Sequence, residues 1–159
     1  MKGAAEGLWS APICLLLQAA CPGGNAASFR SHPATLPELY GADLSGADLG
    51  NYNLSGADLR EANLHNANLS ASHLIDTKLI GANLANADLS GANLIAAKLA
   101  FSDLRGANLA DADLSSADLT GANLTGANLR GAILNWTRLN DALIDDEQLS
   151  TVKSRLEQR

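Results

Sequence analysis

The stretch GADLSGADLGNYNLSGADLREANLHNANLS, residues 41–70, repeats a five-residue unit, A-(D/N)-L-x-x. Its leucines belong to a register that runs from Leu39 to Leu139 without a miss. A helix returns a side chain to one face about every 3.6 residues and a strand about every 2, so a strict period of five drifts off both. The chain must therefore turn once per unit. It is an internal repeat before it is anything else.

The last position of the unit supplies turn chemistry. Gly46, Gly56, Gly81, Gly91, Gly106, Gly121, Gly126 and Gly131 alternate there with Asn51, Asn66 and Asn86, residues that tolerate positive φ. No Val, Ile or Thr occupies that position from Gly46 to Asp146. Ala71, Ala96, Phe101 and Trp136 also stand in it, which predicts that some corners use a turn without positive φ. With one turn per unit, the Leu and the Ala two residues before it face inward and the other three positions face water.

The unit resembles that of the pentapeptide-repeat proteins across residues 42–146. The resemblance implies an all-β solenoid, a right-handed four-sided β-helix with four units per coil. Twenty-one units give about five coils, about 25 Å long at the spacing of paired backbone. Residues twenty apart should then stack, Leu44 with Leu64, Leu84, Leu104 and Leu124, and Leu49 with Leu69, Leu89, Leu109 and Leu129. The Ala column breaks at Tyr52, Ser72, Thr77, Ser102 and Thr137. Tyr52 either fills space left by small Ser72 near an end or tilts outward at the rim.

Solenoid ends need covering, because an open coil exposes apolar filling and unpaired backbone. Residues 147–159 read as a capping α-helix after Asp145 and Asp146, with Leu149, Val152 and Leu156 on one face; the alternative use of that face is a dimer contact. Residues 28–41 read as the N-terminal cap, with Leu36 and Leu39 covering the first coil. Residues 1–27 read as a leader: Lys2, the apolar run Ile13–Leu17 and the small-residue segment QAACPGGNAAS resemble an export signal cleaved near Ala20 or between Ala26 and Ser28. A lipoprotein signal with Cys21 as the modified residue and a disordered cytosolic leader are the alternatives. The run is too short to span a bilayer.

A chain of 159 residues with 47% apolar but only 4% aromatic residues suits a narrow core of Leu and Ala. The net charge of −6 argues against binding bare nucleic acid, which needs clustered Lys and Arg. Cys14 and Cys21 both precede the repeats, so the repeat body holds no disulfide. The residue before Leu is Asp or Asn in fifteen of the eighteen units from Leu44 to Leu129. Free exchange between them marks a compact hydrogen-bonding group that bonds the turn backbone, not a charge or a metal ligand. His65 and His73 fall on opposite faces, and His32 lies before the repeats, so the imidazoles do not converge. No nucleophile elbow or phosphate loop is present. The expectation is a non-enzyme, with no catalytic residue, metal or cofactor.

Departures from the repeat carry the specific information. Ile75 and Ile95 take outward positions one coil apart, Ile80, Ala100 and Phe101 lie around the adjoining corner, and Lys78 and Lys98 interrupt the Asp/Asn column between Asp58 and Asp118. Ile75, Lys78, Ile80, Ile95, Lys98 and Phe101 are therefore the candidate protein-binding residues. Family resemblance implies two precedents. Exported or lumenal members have undefined roles, whereas cytosolic members inhibit DNA gyrase by imitating duplex DNA as dimers joined through a C-terminal helix. That second class commonly places Phe at central positions, where this chain has Leu throughout. The reading is an exported structural or protein-interaction module, in the periplasm or a thylakoid lumen, with a cytosolic gyrase inhibitor or protector as the alternative.

Overall fold

The computed structural model describes residues 39–145 together with 147, 148 and 150. The backbone turns at every fifth residue from Gly41 to Asp141, and each of these corners has positive φ. At each corner the Leu carbonyl accepts the amide three residues on, as in Ala62 N–H to Leu59 O at 3.1 Å and Ala82 N–H to Leu79 O at 3.1 Å. Positive φ at the third residue of such a turn is the requirement of a type II turn.

Four units return the chain to its starting point. Parallel bridges join residues twenty apart in continuous series, as in Asp43, Asn63, Asn83, Asp103, Asn123 and Leu143. Each interior repeat makes the same inter-coil bonds. The Leu amide and the corner amide donate to carbonyls nineteen residues on, as in Leu64 to Asn83 O at 2.7 Å and Asn66 to Ala85 O at 3.0 Å; the Asp/Asn amide donates twenty-one residues back, as in Asn83 to Ala62 O at 2.9 Å. The faces are numbered here by their leucine columns: Leu44 on the first, Leu49 on the second, Leu54 on the third and Leu59 on the fourth.

This bonding corrects the expectation for the unusual corners. Ala71, Ala96, Phe101 and Trp136 have φ of 52°, 57°, 59° and 61°, the same conformation as the glycines. The left-handed region costs an ordinary residue about 1–2 kcal/mol, but another turn would misplace the corner amide. Phe101 N–H reaches Thr120 O at 2.9 Å and Ala96 N–H reaches Ser115 O at 2.9 Å. The stack imposes one geometry on every corner.

Leu54 through Leu124 are essentially inaccessible, and the Ala column beside them is equally buried. The polar breaks in that column are satisfied internally. Ser72 and Ser102 hydroxyls donate to Leu69 O at 2.6 Å and Leu99 O at 2.7 Å, while Thr77 and Thr137 donate to Leu54 O at 2.9 Å and Leu114 O at 2.8 Å. Tyr52 is buried in the core over the fully buried Ser72, so size compensation, not outward tilt, accommodates it.

Large corner side chains lean over the following coil, and glycine receives them. A Cβ on Gly121 would meet the Phe101 ring at 2.6 Å, and one on Gly81 would meet Glu61 at 3.7 Å. Asn86 and Asp111 likewise overlie Gly106 and Gly131. The column Gly41, Glu61, Gly81, Phe101, Gly121, Asp141 alternates for this reason.

At the N-terminal end Leu39 is buried against the core. The leader (1–27) and the cap residues before Leu39, including Leu36 and His32, lie outside the described residues. At the other end Glu147, Gln148 and Ser150 are helical, and the apolar stripe of Leu149, Val152 and Leu156 lies outside the described residues.

Candidate functional site

The Asp/Asn column sets the electrostatic background of every face. All fifteen Asp and Asn residues accept the backbone amide two residues on, at 2.9–3.3 Å. Asn side chains also donate across coils, as in Asn68 Nδ2 to Asp48 Oδ1 at 2.8 Å and Asn108 Nδ2 to Asp88 Oδ1 at 3.0 Å. These carboxylates serve the corner backbone. Among the described residues no group of three His, Cys, Asp or Glu could hold a metal ion.

The fourth face departs most from this background. Its outward column reads Asp58, Lys78, Lys98, Asp118, Arg138, bridged in that order. Arg60 holds Asp58 with two bonds of 2.7 and 2.6 Å, and Lys78 Nζ lies 3.6 Å from the same carboxylate. The Arg60 side chain, aided by Lys78, holds the Asp58 carboxyl down at about 2. Lys98 pairs not with Asp118 above it but with Asp76 at 3.4 Å, across the corner between the third and fourth faces; Asp118 instead lies 3.6 Å from Arg138. Exposed pairs of this kind contribute about 0–1 kcal/mol each, so they set the pattern of the face more than its stability. At the N-terminal end of the face, the Arg60 guanidinium lies 5.5 Å from the centre of the Tyr40 ring.

The apolar residues flank this charged column. Ile80 is 38% exposed on the fourth face, and Phe101 is 70% exposed at its far corner with its ring over Gly121. Ile75, 40% exposed, and the half-buried Ile95 lie around the near corner on the third face. The structure thus divides the six candidates: Lys78, Lys98, Ile80 and Phe101 share one face, and Ile75 and Ile95 take the next. The Lys98–Asp76 pair ties the two faces across their shared corner. A partner touching all six must wrap that edge.

Trp136 is a further exposed residue that the repeat pattern does not single out for binding. It stands on the same edge, 88% exposed, in the last described coil. Its signal was present in the corner column Gly56, Asp76, Ala96, Ser116, Trp136, where the largest residue closes a series of small ones. Leu143, in the Asp/Asn series of the first face, is also exposed. His65 lies on the first face beside Asn83, Asn86, Asp103 and Arg105. His73 lies on the third.

A closed prism of stacked leucines with flat outer faces defines a β-solenoid whose distinctive chemistry lies on one outer face and the edge beside it. The family model for pentapeptide repeats matches residues 38–74, 72–111 and 107–144, and the chain belongs to that family. It shares the family's right-handed β-helix. No curated protein matches it. Among solved structures, the pentapeptide repeat protein Rfr23 of the cyanobacterium Cyanothece 51142 is 31% identical over 68% of this chain and 91% of that one, with a TM-score of 0.59. A pentapeptide repeat protein of the Arabidopsis thaliana thylakoid lumen is 30% identical over 70% of each chain, with a TM-score of 0.28. QnrB1, a plasmid-mediated fluoroquinolone resistance protein, is 18% identical over 72% of this chain and 84% of that one, with a TM-score of 0.31. Pentapeptide repeat proteins are in general structural or interaction modules. No helix among the described residues is long and apolar enough to cross a membrane.

Proposed function

We propose that this chain is a non-enzymatic protein-interaction module that docks a protein partner across its fourth face and around the edge shared with the third. The observation that carries the reading is the combination of exposed Ile75, Ile80 and Phe101 with the Lys78–Lys98 step on a solenoid whose other outward positions are mostly small or polar. Apolar side chains held outward on a rigid frame lose little freedom on docking. Comparing partner recovery by the parent and by the Ile75→Ser, Phe101→Ser double variant tests this. The double variant should lose the partner, and equal recovery by both would end the reading.

The finer architecture belongs to the same proposal: about five coils, closed after Asp145 by a capping helix whose apolar stripe is Leu149, Val152 and Leu156. Export is part of it too and rests on the apolar run Ile13–Leu17 with the small residues after it. N-terminal sequencing of protein from its native cell should find a processed end near Ala20 or between Ala26 and Ser28. An intact Met1 would remove export.

A gyrase-directed DNA mimic needs carboxylates presented as free charge. Four aspartates here, Asp58, Asp76, Asp103 and Asp118, instead lie within 4.0 Å of Lys or Arg nitrogens, which lowers the negative charge presented at those positions. Purified protein should accordingly leave gyrase supercoiling unaffected.

A further inference from the structure

The last coil ends by a different chemistry from the one that joins the others. In the coil before it, the corner amide of Gly106 donates to the main-chain carbonyl of Thr125 at 3.1 Å, nineteen residues on. Gly126 should find the carbonyl of residue 145 in the same way. Its amide goes instead to the Asp145 side chain, Oδ2 at 2.7 Å. The alanine carbonyls show the same exchange. Ala107 O accepts the main-chain amide of Asn128 at 2.9 Å, twenty-one residues on. Ala127 O accepts from the side-chain Nε2 of Gln148, also twenty-one residues on, and that nitrogen reaches Leu124 O at 3.0 Å as well.

Asp145 and Gln148 are fixed to each other. Asp145 N–H donates to Gln148 Oε1 at 2.9 Å, one half of the reciprocal capping box at a helix start. The other half, in which the cap side chain bonds the third helical amide, is replaced here by the bond to Gly126. Two side chains therefore stand at the registers of a further coil and take the places of two of its main-chain bonds.

An open coil edge is a template for another strand. The strand that fits this edge has the five-residue corner spacing and the nineteen- and twenty-one-residue bonding offsets of this solenoid, which a second copy of the chain carries at its own first coil. Asp48 there holds the position whose amide, in later coils, donates to an alanine carbonyl of the coil before. We propose that Asp145 and Gln148 are an edge lock, occupying terminal bonding sites at the corner from the first face to the second so that a second copy does not add there.

The test uses the full chain, the Asp145→Ala, Gln148→Ala double variant, and the single variants Gln148→Glu and Asp145→Asn. Gln148→Glu keeps the acceptor for Asp145 but removes the donor to Leu124 and Ala127; Asp145→Asn keeps an oxygen for Gly126. Sedimentation over about a hundred-fold concentration range should show the double variant and Gln148→Glu rising to at least about twice the parent's average mass, while Asp145→Asn follows the parent. Exchange of the Gly126 amide should quicken at least about ten-fold in the double variant. Faster exchange with parent-like sedimentation in the double variant and in Gln148→Glu would overturn the lock. Unchanged exchange would overturn the bond assignment, and association of Asp145→Asn to the same extent would put the effect in lost charge. If the double variant does not fold, Gln148→Glu decides.

Discussion

Gly121 and Gly91 are both corner glycines, with φ of +67° and +63°, yet their substitution by alanine should have different consequences. Each change puts a side chain in the left-handed region, at about 1–2 kcal/mol, and each removes the same freedom from the unfolded chain. A Cβ at Gly91 meets nothing within 4 Å; at Gly121 it meets Phe101 Cδ1 at 2.6 Å and Cε1 at 2.7 Å. The ring must swing away. It is 70% exposed, and of a side chain of about 200 Å² the covered remainder is about 60 Å², worth at most about 1.5 kcal/mol. Part of that contact will be recovered elsewhere, so Gly121→Ala should exceed Gly91→Ala by about 1 kcal/mol in urea unfolding at constant m-value. In a Phe101→Ala background the excess should shrink to within about 0.3 kcal/mol. Equal costs in the parent background would refute the seating of Phe101 on Gly121, and with it the fixed presentation of that ring beside the fourth face.

Leu84 is fully buried in the middle of its column, so Leu84→Ala should lower stability by about 2–5 kcal/mol, and Leu84→Asp should abolish cooperative folding of the central coils, read by thermal melting; parent-like melting of the aspartate variant would contradict inward placement. Acid should destabilise the fold in a defined window. Hydrogen bonds from Arg60 to Asp58, from Arg105 to Asp103 and from Thr120 to Asp118 hold these carboxyls below their ordinary value of 3.8 in the folded chain, Asp58 at about 2. As pH falls the unfolded chain binds protons first, so this stability is full well above pH 3.8 and is lost as pH drops through the folded values. A Tm that stays flat or rises on acidification from about pH 5 to about pH 2 would count against these pairs.

The leucine period decided most of the fold because it is a constraint shared by every repeat. Column membership followed from arithmetic on residue numbers, and so did the stacking of Lys78 next to Asp58. The free exchange of Asp with Asn likewise pointed to backbone bonding, which all fifteen residues make. A residue's own preference misleads where its neighbours in the stack override it. Ala96 and Phe101 avoid positive φ on their own, but the amide of each must meet a carbonyl of the next coil, and that bond prevails. Lys98 was assigned to its column, yet Asp76 lies nearer across the corner. The exposure of Trp136 depends on projecting from a corner in the last described coil, which period alone does not convey. The docking edge was legible as an irregularity; its division between two faces needed the corner geometry.

The most direct measurement of the docking claim is site-specific photocrosslinking in the native cell, with the crosslinking residue placed in turn at Ile80 on the fourth face and at Ser70 on the second, its opposite. The account predicts a discrete adduct with another protein from position 80 and none from position 70. Adducts from position 70 alone, or the same adducts from both, would contradict it.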